Sequence, residues 1–213
     1  MELEYRLFQD YFGLLIPLLI GLVLIVYVKR SRPAIIKGVL LSHFSKVNFK
    51  NIQNNIHDRE VTILLWTSVF LQGLYLNSYF IELNTPIYFY YLIVAIIIGL
   101  KHLSLKISAK TFNKEQLFEE YQTSFIAVVI KLGWFLIPVS IINIIYLNKI
   151  SINQRIELNK TTLIFVLIFL VYRLFFLFIQ ANKENISYLH IFLYLCTLEI
   201  LPIVIISYYF LNN

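Results

Sequence analysis

The chain has 213 residues, of which 59% are hydrophobic and only 14% are charged, and its formal net charge is +6. The apolar residues form long uninterrupted blocks, and a helix needs about 20 such residues to cross a hydrocarbon layer roughly 30 Å thick. This leaves no room for a soluble catalytic domain, and the membrane surface accounts for the basic residues without nucleic acid. We expect one all-α integral membrane domain over residues 1–213.

Six apolar blocks predict six transmembrane helices in a multi-pass protein. The predicted spans are 12–28, 61–81, 86–105, 121–147, 161–180 and 188–211. Acidic residues precede the first block and basic ones follow it, so we interpret it as a retained anchor and not as a signal peptide. Asn113 and Gln116 have the spacing of a capping box, which predicts that the fourth span belongs to one long helix from Lys114 to about Leu147.

The segment between the first two spans predicts an additional helix at the membrane surface. Its apolar residues recur at helical spacing with lysines and serines on the opposite arc, which is typical of an amphipathic helix lying in the interface. We place this helix at about 34–48 and expect a loop from 48 to 60. No span contains two glycines separated by three other residues (GxxxG), so we expect few close backbone crossings between helices.

Basic residues are concentrated in one set of alternate loops. Twelve of the eighteen lysines and arginines follow the first, third or fifth span, whereas only four lie in the other loops or at the N-terminus. The positive-inside rule predicts that the basic set is cytoplasmic, which puts both termini outside.

Three ionisable residues fall deep inside predicted spans, away from their ends: Lys131, Arg173 and Glu199. Each costs roughly 2.5–3.5 kcal/mol at a helix centre, so we expect them to face one another or a wet cavity. Pro138 and Pro202 each leave a nearby carbonyl without its helical donor and predict helix kinks beside this intramembrane polar cluster. The cluster is either a buried ion pair that fixes packing, a site for a proton, an ion or an anionic lipid headgroup, or a catalytic site.

Motifs of intramembrane enzymes are missing from the sequence. It has no serine elbow, no zinc-binding H-E-x-x-H helix and no pair of membrane aspartates. Glu119 and Glu120 resemble the paired glutamates of intramembrane prenyl proteases, but Ser124 stands where those proteins have arginine. We therefore expect no enzyme and no metal site.

A haem site is the remaining cofactor hypothesis. His102 and His190 both fall near the cytoplasmic ends of their spans, where a bis-histidine site is conceivable. Lone histidines at an interface are more often side chains that reach toward water. We therefore expect no cofactor.

The run from Tyr188 to Pro202 resembles the C-terminal signature of a family of bacterial inner-membrane proteins, domain of unknown function four-two-seven-one. The resemblance implies Tyr194, Cys196, Glu199 and Pro202 as signature positions, with Arg173 as a match in the preceding span. It also implies a Gram-negative inner-membrane location and carries no established activity. In that membrane, the termini that the positive-inside rule puts outside would both be periplasmic.

We expect a non-enzymatic accessory or scaffold subunit of a larger cell-envelope complex, in contact with the lipid bilayer and with other membrane proteins. The alternative is a small transporter or lipid-handling protein that uses Lys131, Arg173 and Glu199. In that alternative, anionic lipid is a further partner.

Overall fold

The computed structural model describes residues 2–42, 45–79, 87–112, 115–145 and 152–183, and every regular element in this part of the chain is an α-helix. The helices are α1 (Glu2–Ser31), α2 (Pro33–Leu41), α3 (Lys46–Asn54), α4 (Arg59–Tyr79), α5 (Ile87–Phe112), α6 (Glu115–Ile145) and α7 (Ile152–Lys183). The chain divides into two compact units, Met1–Thr162 and Leu163–Asn213, and the boundary falls within α7. The all-α prediction agrees with the described part.

Four of the described helices are long and apolar enough to cross a membrane. Their apolar windows are Leu14–Ser31 in α1, Arg59–Ser78 in α4, Tyr88–Ile107 in α5 and Phe118–Ile144 in α6. Helix α7 includes the fifth predicted span, whereas the sixth, 188–211, lies outside the described residues. The total of six spans therefore stays a prediction.

Several helices are longer than the apolar blocks that predicted them. Helix α1 begins at Glu2, α5 continues to Phe112 and α7 begins at Ile152. Hydropathy detects the part of a helix that suits lipid, but leucine, lysine, glutamate and glutamine continue a helix equally well outside it. The long helix predicted from Lys114 to Leu147 agrees closely with the observed α6.

Helices α4 and α6 form the centre of the first unit. Of their apolar windows, 56% is buried, against 22% for α1 and 17% for α5. One buried cluster joins the last turn of α1, the first turns of α4 and the middle of α6 through Val28, Val61, Leu64, Ile126 and Ile130. We call this the lower cluster.

A second buried cluster joins the opposite ends of the same helices. It contains Leu14 of α1, Leu71 and Leu74 of α4 and Ile144 of α6. Helix α1 therefore runs antiparallel to α4, and α6 runs parallel to α4. The successive candidate spans α1, α4, α5 and α6 alternate in direction, since α5 packs its first turns on the second half of α4 through Phe70 and Tyr91.

Helices α5 and α6 continue past the ends of α1 and α4. The lower cluster reaches α6 at Ile126, so residues 115–125 precede it. On α5, Lys101 lies over the ring of Phe125, with 4.8 Å between the ammonium nitrogen and the ring centroid. At 1.5 Å per residue, the eleven residues 102–112 and the eleven residues 115–125 each extend about 16 Å farther. We call this pair of segments the polar extension.

The prediction of one surface helix over 34–48 was wrong. The structure has two short helices, α2 and α3, and α3 occupies half of the segment that was predicted to be a loop. The chain leaves helical geometry at Ser45, whose φ of −143° and ψ of 122° are extended. Serine hydroxyls compete for backbone groups, and Ser42 Oγ donates to the carbonyl of Val39 at 3.0 Å. A hydropathy pattern carries no information about such hydrogen bonds between side chain and backbone.

The described helices approach each other closely at two glycines, although no span contains a paired glycine motif. A Cβ atom on Gly133 of α6 would lie 2.7 Å from the Cα of Ser68 in α4. A Cβ on Gly73 of α4 would lie 2.9 Å from the Cα of Tyr91 in α5. Single glycines therefore produce the close approaches that we expected only from a paired glycine motif.

Candidate functional site

Polar side chains line the contact between α4 and α6. Gln72 Nε2 donates to the carbonyl of Val129 at 2.8 Å, and Ser68 Oγ donates to the carbonyl of Ile130 at 3.3 Å. Both acceptors are backbone carbonyl groups of α6, so these bonds join α4 to α6 without a polar side chain on α6. In a bilayer, such bonds and close van der Waals packing hold helices together because lipid offers little hydrophobic driving force. We interpret this contact as structural.

A second polar group lies near the opposite end of the first unit. Asn143 of α6 and Asn159 of α7 are 3% and 4% exposed. Asn143 Nδ2 donates to Asn159 Oδ1 at 3.2 Å, and the hydroxyl of Tyr75 in α4 donates to the same oxygen at 3.5 Å. The Oδ1 of Asn143 has no hydrogen-bond partner within the part of the chain that the structure describes. These residues connect three helices.

The sequence pointed to this group only in part. Asn143 was a visible polar residue inside an apolar span, but Asn159 precedes the fifth predicted span and its position suggested a loop. The structure includes it in α7, which begins at Ile152. An asparagine at the edge of an apolar block carries no signal of its own, because the same residue type is common in loops.

Lys131 contacts a residue that the predicted cluster did not include. Its ammonium group donates to Ser42 Oγ at 3.0 Å, and that hydroxyl in turn donates to the carbonyl of Val39. Lys131 directly follows Ile130 of the lower cluster, so it lies level with the end of α1 and the start of α4. The bond connects the middle of α6 to the end of α2.

An ion-pair network lies close to the junction of α1 and α2. Arg32 forms a salt bridge with Asp58, and its Nε lies 3.7 Å from Glu60 Oε1. The two carboxylates belong to the turn before α4 and to its first turn. The network therefore holds the start of α2 against the start of α4.

The described part of the chain includes only some of the other predicted site residues. Arg173 lies in α7, in the second unit, and is 2% exposed. Pro138 lies inside α6, which the structure describes as one continuous helix. Glu199, Pro202, Tyr194 and Cys196 lie outside the described residues. Whether Lys131, Arg173 and Glu199 form one site therefore stays a prediction.

Of the two histidines in the haem hypothesis, one lies in the part of the chain that the structure describes. His102 lies exposed on α5, and His190 lies outside the described residues. Within the described ranges, no three side chains of histidine, cysteine, aspartate or glutamate come together as a metal site would need.

Comparison with known proteins gives one match. The family model "Domain of unknown function (DUF4271)" matches residues 12–210, nearly the whole chain. This confirms the resemblance found at the C-terminal end. Neither a curated protein nor a solved structure matches the chain.

Proposed function

We propose that this chain, which belongs to the DUF4271 family of unknown function, is a non-enzymatic multi-pass protein of the bacterial inner membrane. In this proposal it is an accessory or scaffold subunit of a larger cell-envelope complex. The observation that carries the proposal is the polar extension of α5 and α6, which reaches about 16 Å past the lower cluster.

The membrane placement follows from the helices and the charges. Four apolar helices alternate in direction, and their exposed side chains are largely aliphatic on α1 and along residues 92–100 of α5, as contact with lipid requires. Seven basic residues in 29–60, together with Lys101, Lys106 and Lys110, lie at the end marked by the lower cluster. By the positive-inside rule, this end is cytoplasmic and the N-terminus is periplasmic.

The polar extension offers a surface for another protein. Lys106 and Lys110 are exposed on α5, and Glu119 is exposed on α6. Leu103 and Ile107, one turn apart on α5, are 54% and 58% exposed. Apolar side chains framed by charges of both signs are typical of a protein contact surface with a polar rim.

Purification from native membranes tests the scaffold role. The tagged chain, extracted in mild detergent, should bring a defined set of membrane proteins with it, identified by mass spectrometry. Lys106→Glu, Lys110→Glu and Glu119→Lys together should remove those partners, because the substitutions invert the charges around the contact surface. The thermal unfolding temperature should stay unchanged, since all three side chains are exposed.

The matched control reverses a charge elsewhere in the first unit. Lys160 is exposed on α7 beside the buried Asn159 group and away from the lower cluster. Lys160→Glu should leave the partners bound. A chain that purifies alone and monomeric would contradict the scaffold role.

A second candidate is a small transporter or lipid-handling protein. Arg173 is almost completely buried, and an intramembrane arginine is by default a functional-site hypothesis. In this candidate, Lys131, Arg173 and Glu199 bind an anion, a proton or an anionic headgroup.

Glu199→Gln tests this second candidate. The variant should insert into the membrane and unfold at nearly the wild-type temperature, but it should not restore growth to a strain whose own copy has been deleted. Loss of the folded protein would instead assign the cluster a structural role. Full complementation by a stable variant would exclude Glu199 from the function.

A further inference from the structure

The outward faces of α2 and α3 carry an unusual combination of lysines and aliphatic side chains. On α2, Lys37, Leu40 and Leu41 fall within an arc of about 100°, and Leu40 and Leu41 are 49% and 38% exposed. On α3, Lys46 and Lys50 share an arc of the same width with Val47, which is 78% exposed.

The opposite faces of the two helices are buried in protein. Ile35 and Val39 of α2 and Ile52 of α3 belong to the lower cluster with residues of α1, α4 and α6. Gly38 allows α3 to approach α2, since a Cβ there would lie 3.2 Å from Ile52. Other apolar residues of α2 and α3 therefore fill the protein interior. Leu40, Leu41 and Val47 are exposed on the outward faces and do not contribute to that core.

The charges of this region are unbalanced on the outward faces. Residues 29–60 contain seven basic residues and only two acidic ones, Asp58 and Glu60. Both carboxylates lie beside Arg32. In the described part of the chain, no acidic side chain forms a salt bridge with Lys37, Lys46 or Lys50.

We propose that the outward faces of α2 and α3 bind anionic phospholipid, with Leu40, Leu41 and Val47 at the acyl boundary and Lys37, Lys46 and Lys50 at the headgroups. A lysine can place its aliphatic stem along lipid and its ammonium group among phosphates. Basic side chains beside a membrane attract anionic lipid. The polar extension carries exposed charges of both signs, whereas the exposed charged residues of α2 and α3 are all lysines, which suits a layer of anionic headgroups. The inference rests on the membrane placement proposed above.

Fluorescence quenching by brominated lipids tests this surface in the full-length protein. Val47→Trp, made with Trp66→Phe and Trp134→Phe, provides a single reporter on α3. The protein is reconstituted in phosphatidylcholine vesicles that contain an equal small fraction of either phosphatidylglycerol or phosphatidylcholine brominated near the headgroup end of its acyl chains. Quenching by the brominated phosphatidylglycerol should be greater by about twofold or more.

Substituting the lysines separates charge recognition from simple proximity. Lys37→Gln, Lys46→Gln and Lys50→Gln together should abolish the preference for phosphatidylglycerol while some quenching by both lipids remains. Lys160→Gln, at an exposed lysine on α7, should leave the preference intact. Equal quenching by the two lipids before any lysine is changed would overturn the proposal.

A second reporter distinguishes failure of this proposal from failure of the membrane placement. Trp66 is 60% exposed within the apolar window of α4, so a Trp134→Phe protein should be quenched by both lipids. If Trp66 is quenched but the tryptophan introduced by Val47→Trp is not, the α2 and α3 faces meet water or protein, and the proposal is wrong. If neither is quenched, the membrane placement itself fails.

Discussion

At the level of single residues, glycine decides how closely the helices of the first unit approach. Ser68 in α4 occupies the space that a Cβ of Gly133 would need, and Tyr91 in α5 occupies the space beside Gly73. Both neighbours include backbone atoms, which cannot rotate away as the end of a side chain can. Close packing of this kind is a main source of helix association in lipid.

Gly133→Ala should destabilise the protein, whereas Gly99→Ala should not. The new Cβ at 133 would lie 2.7 Å from the Cα of Ser68, so α4 and α6 must separate, and overpacking of this kind costs about 1–3 kcal/mol. Gly99, on α5, has no atom within 4 Å of the corresponding position. Thermal unfolding of the two variants in detergent measures the difference. Equal unfolding temperatures would show that the crossing is looser than described.

Asn143 and Asn159 should behave as a coupled pair. Asn159→Leu removes the acceptor of Asn143 Nδ2 and leaves a buried amide unpaired, which costs about 1–3 kcal/mol. Replacing both residues with leucine removes the unpaired group as well, so the double variant should be more stable than the sum of the two single changes predicts. The free energies of unfolding in detergent of the four proteins give the coupling. Strict additivity would argue against the hydrogen bond.

At the level of elements, the two short helices have the least predictable structure. Their sequence has one continuous amphipathic pattern, yet one helix ends at Leu41 and the next begins at Lys46. Their position depends on contacts that are distant in the sequence. Lys131 of α6 bonds to Ser42, and Asp58 and Glu60 both reach Arg32.

The bond between Ser42 and Lys131 should contribute to the docking of α2 on α6. Lys131→Met and Ser42→Ala should each lower the free energy of unfolding, by about 1–3 kcal/mol for the bond to a charged group. The double variant should lose less than the sum of the two. Limited proteolysis between α2 and α3 should become faster in both single variants, because α2 detaches more often. Unchanged proteolysis would indicate that the apolar contacts of Ile35 and Val39 alone hold the helix.

At the level of the whole molecule, the alternating direction of α1, α4, α5 and α6 agrees with successive membrane crossings. The basic residues collect at the end where α1 finishes and α4 begins. Four described helices meet the length and hydropathy that a span requires. The polar extension, α2 and α3 all lie at this same end of the four helices.

Reporter fusions should reveal the proposed orientation. A fluorescent protein fused after Lys50 or after Lys110 should fluoresce, because both positions lie in basic segments that the positive-inside rule assigns to the cytoplasm. Alkaline phosphatase fused after Thr85 should be active, because that segment would be periplasmic. The opposite pattern would reverse the orientation and place α2 and α3 outside.

Hydropathy and charge were sufficient to predict the helical structure of the described residues, four candidate spans and one long helix through α6, because each depends on residues that are neighbours in the sequence. Lys131 and Arg173, which the sequence places inside apolar blocks, are half-buried and buried in the structure. The close crossings at Gly73 and Gly133, the break between α2 and α3, and the bonds from Lys131 to Ser42 and from Asn143 to Asn159 depended on the tertiary structure. Each of these features depends on the relative position of two helices, which a local sequence pattern does not encode. The packing of side chains determines which helix faces meet.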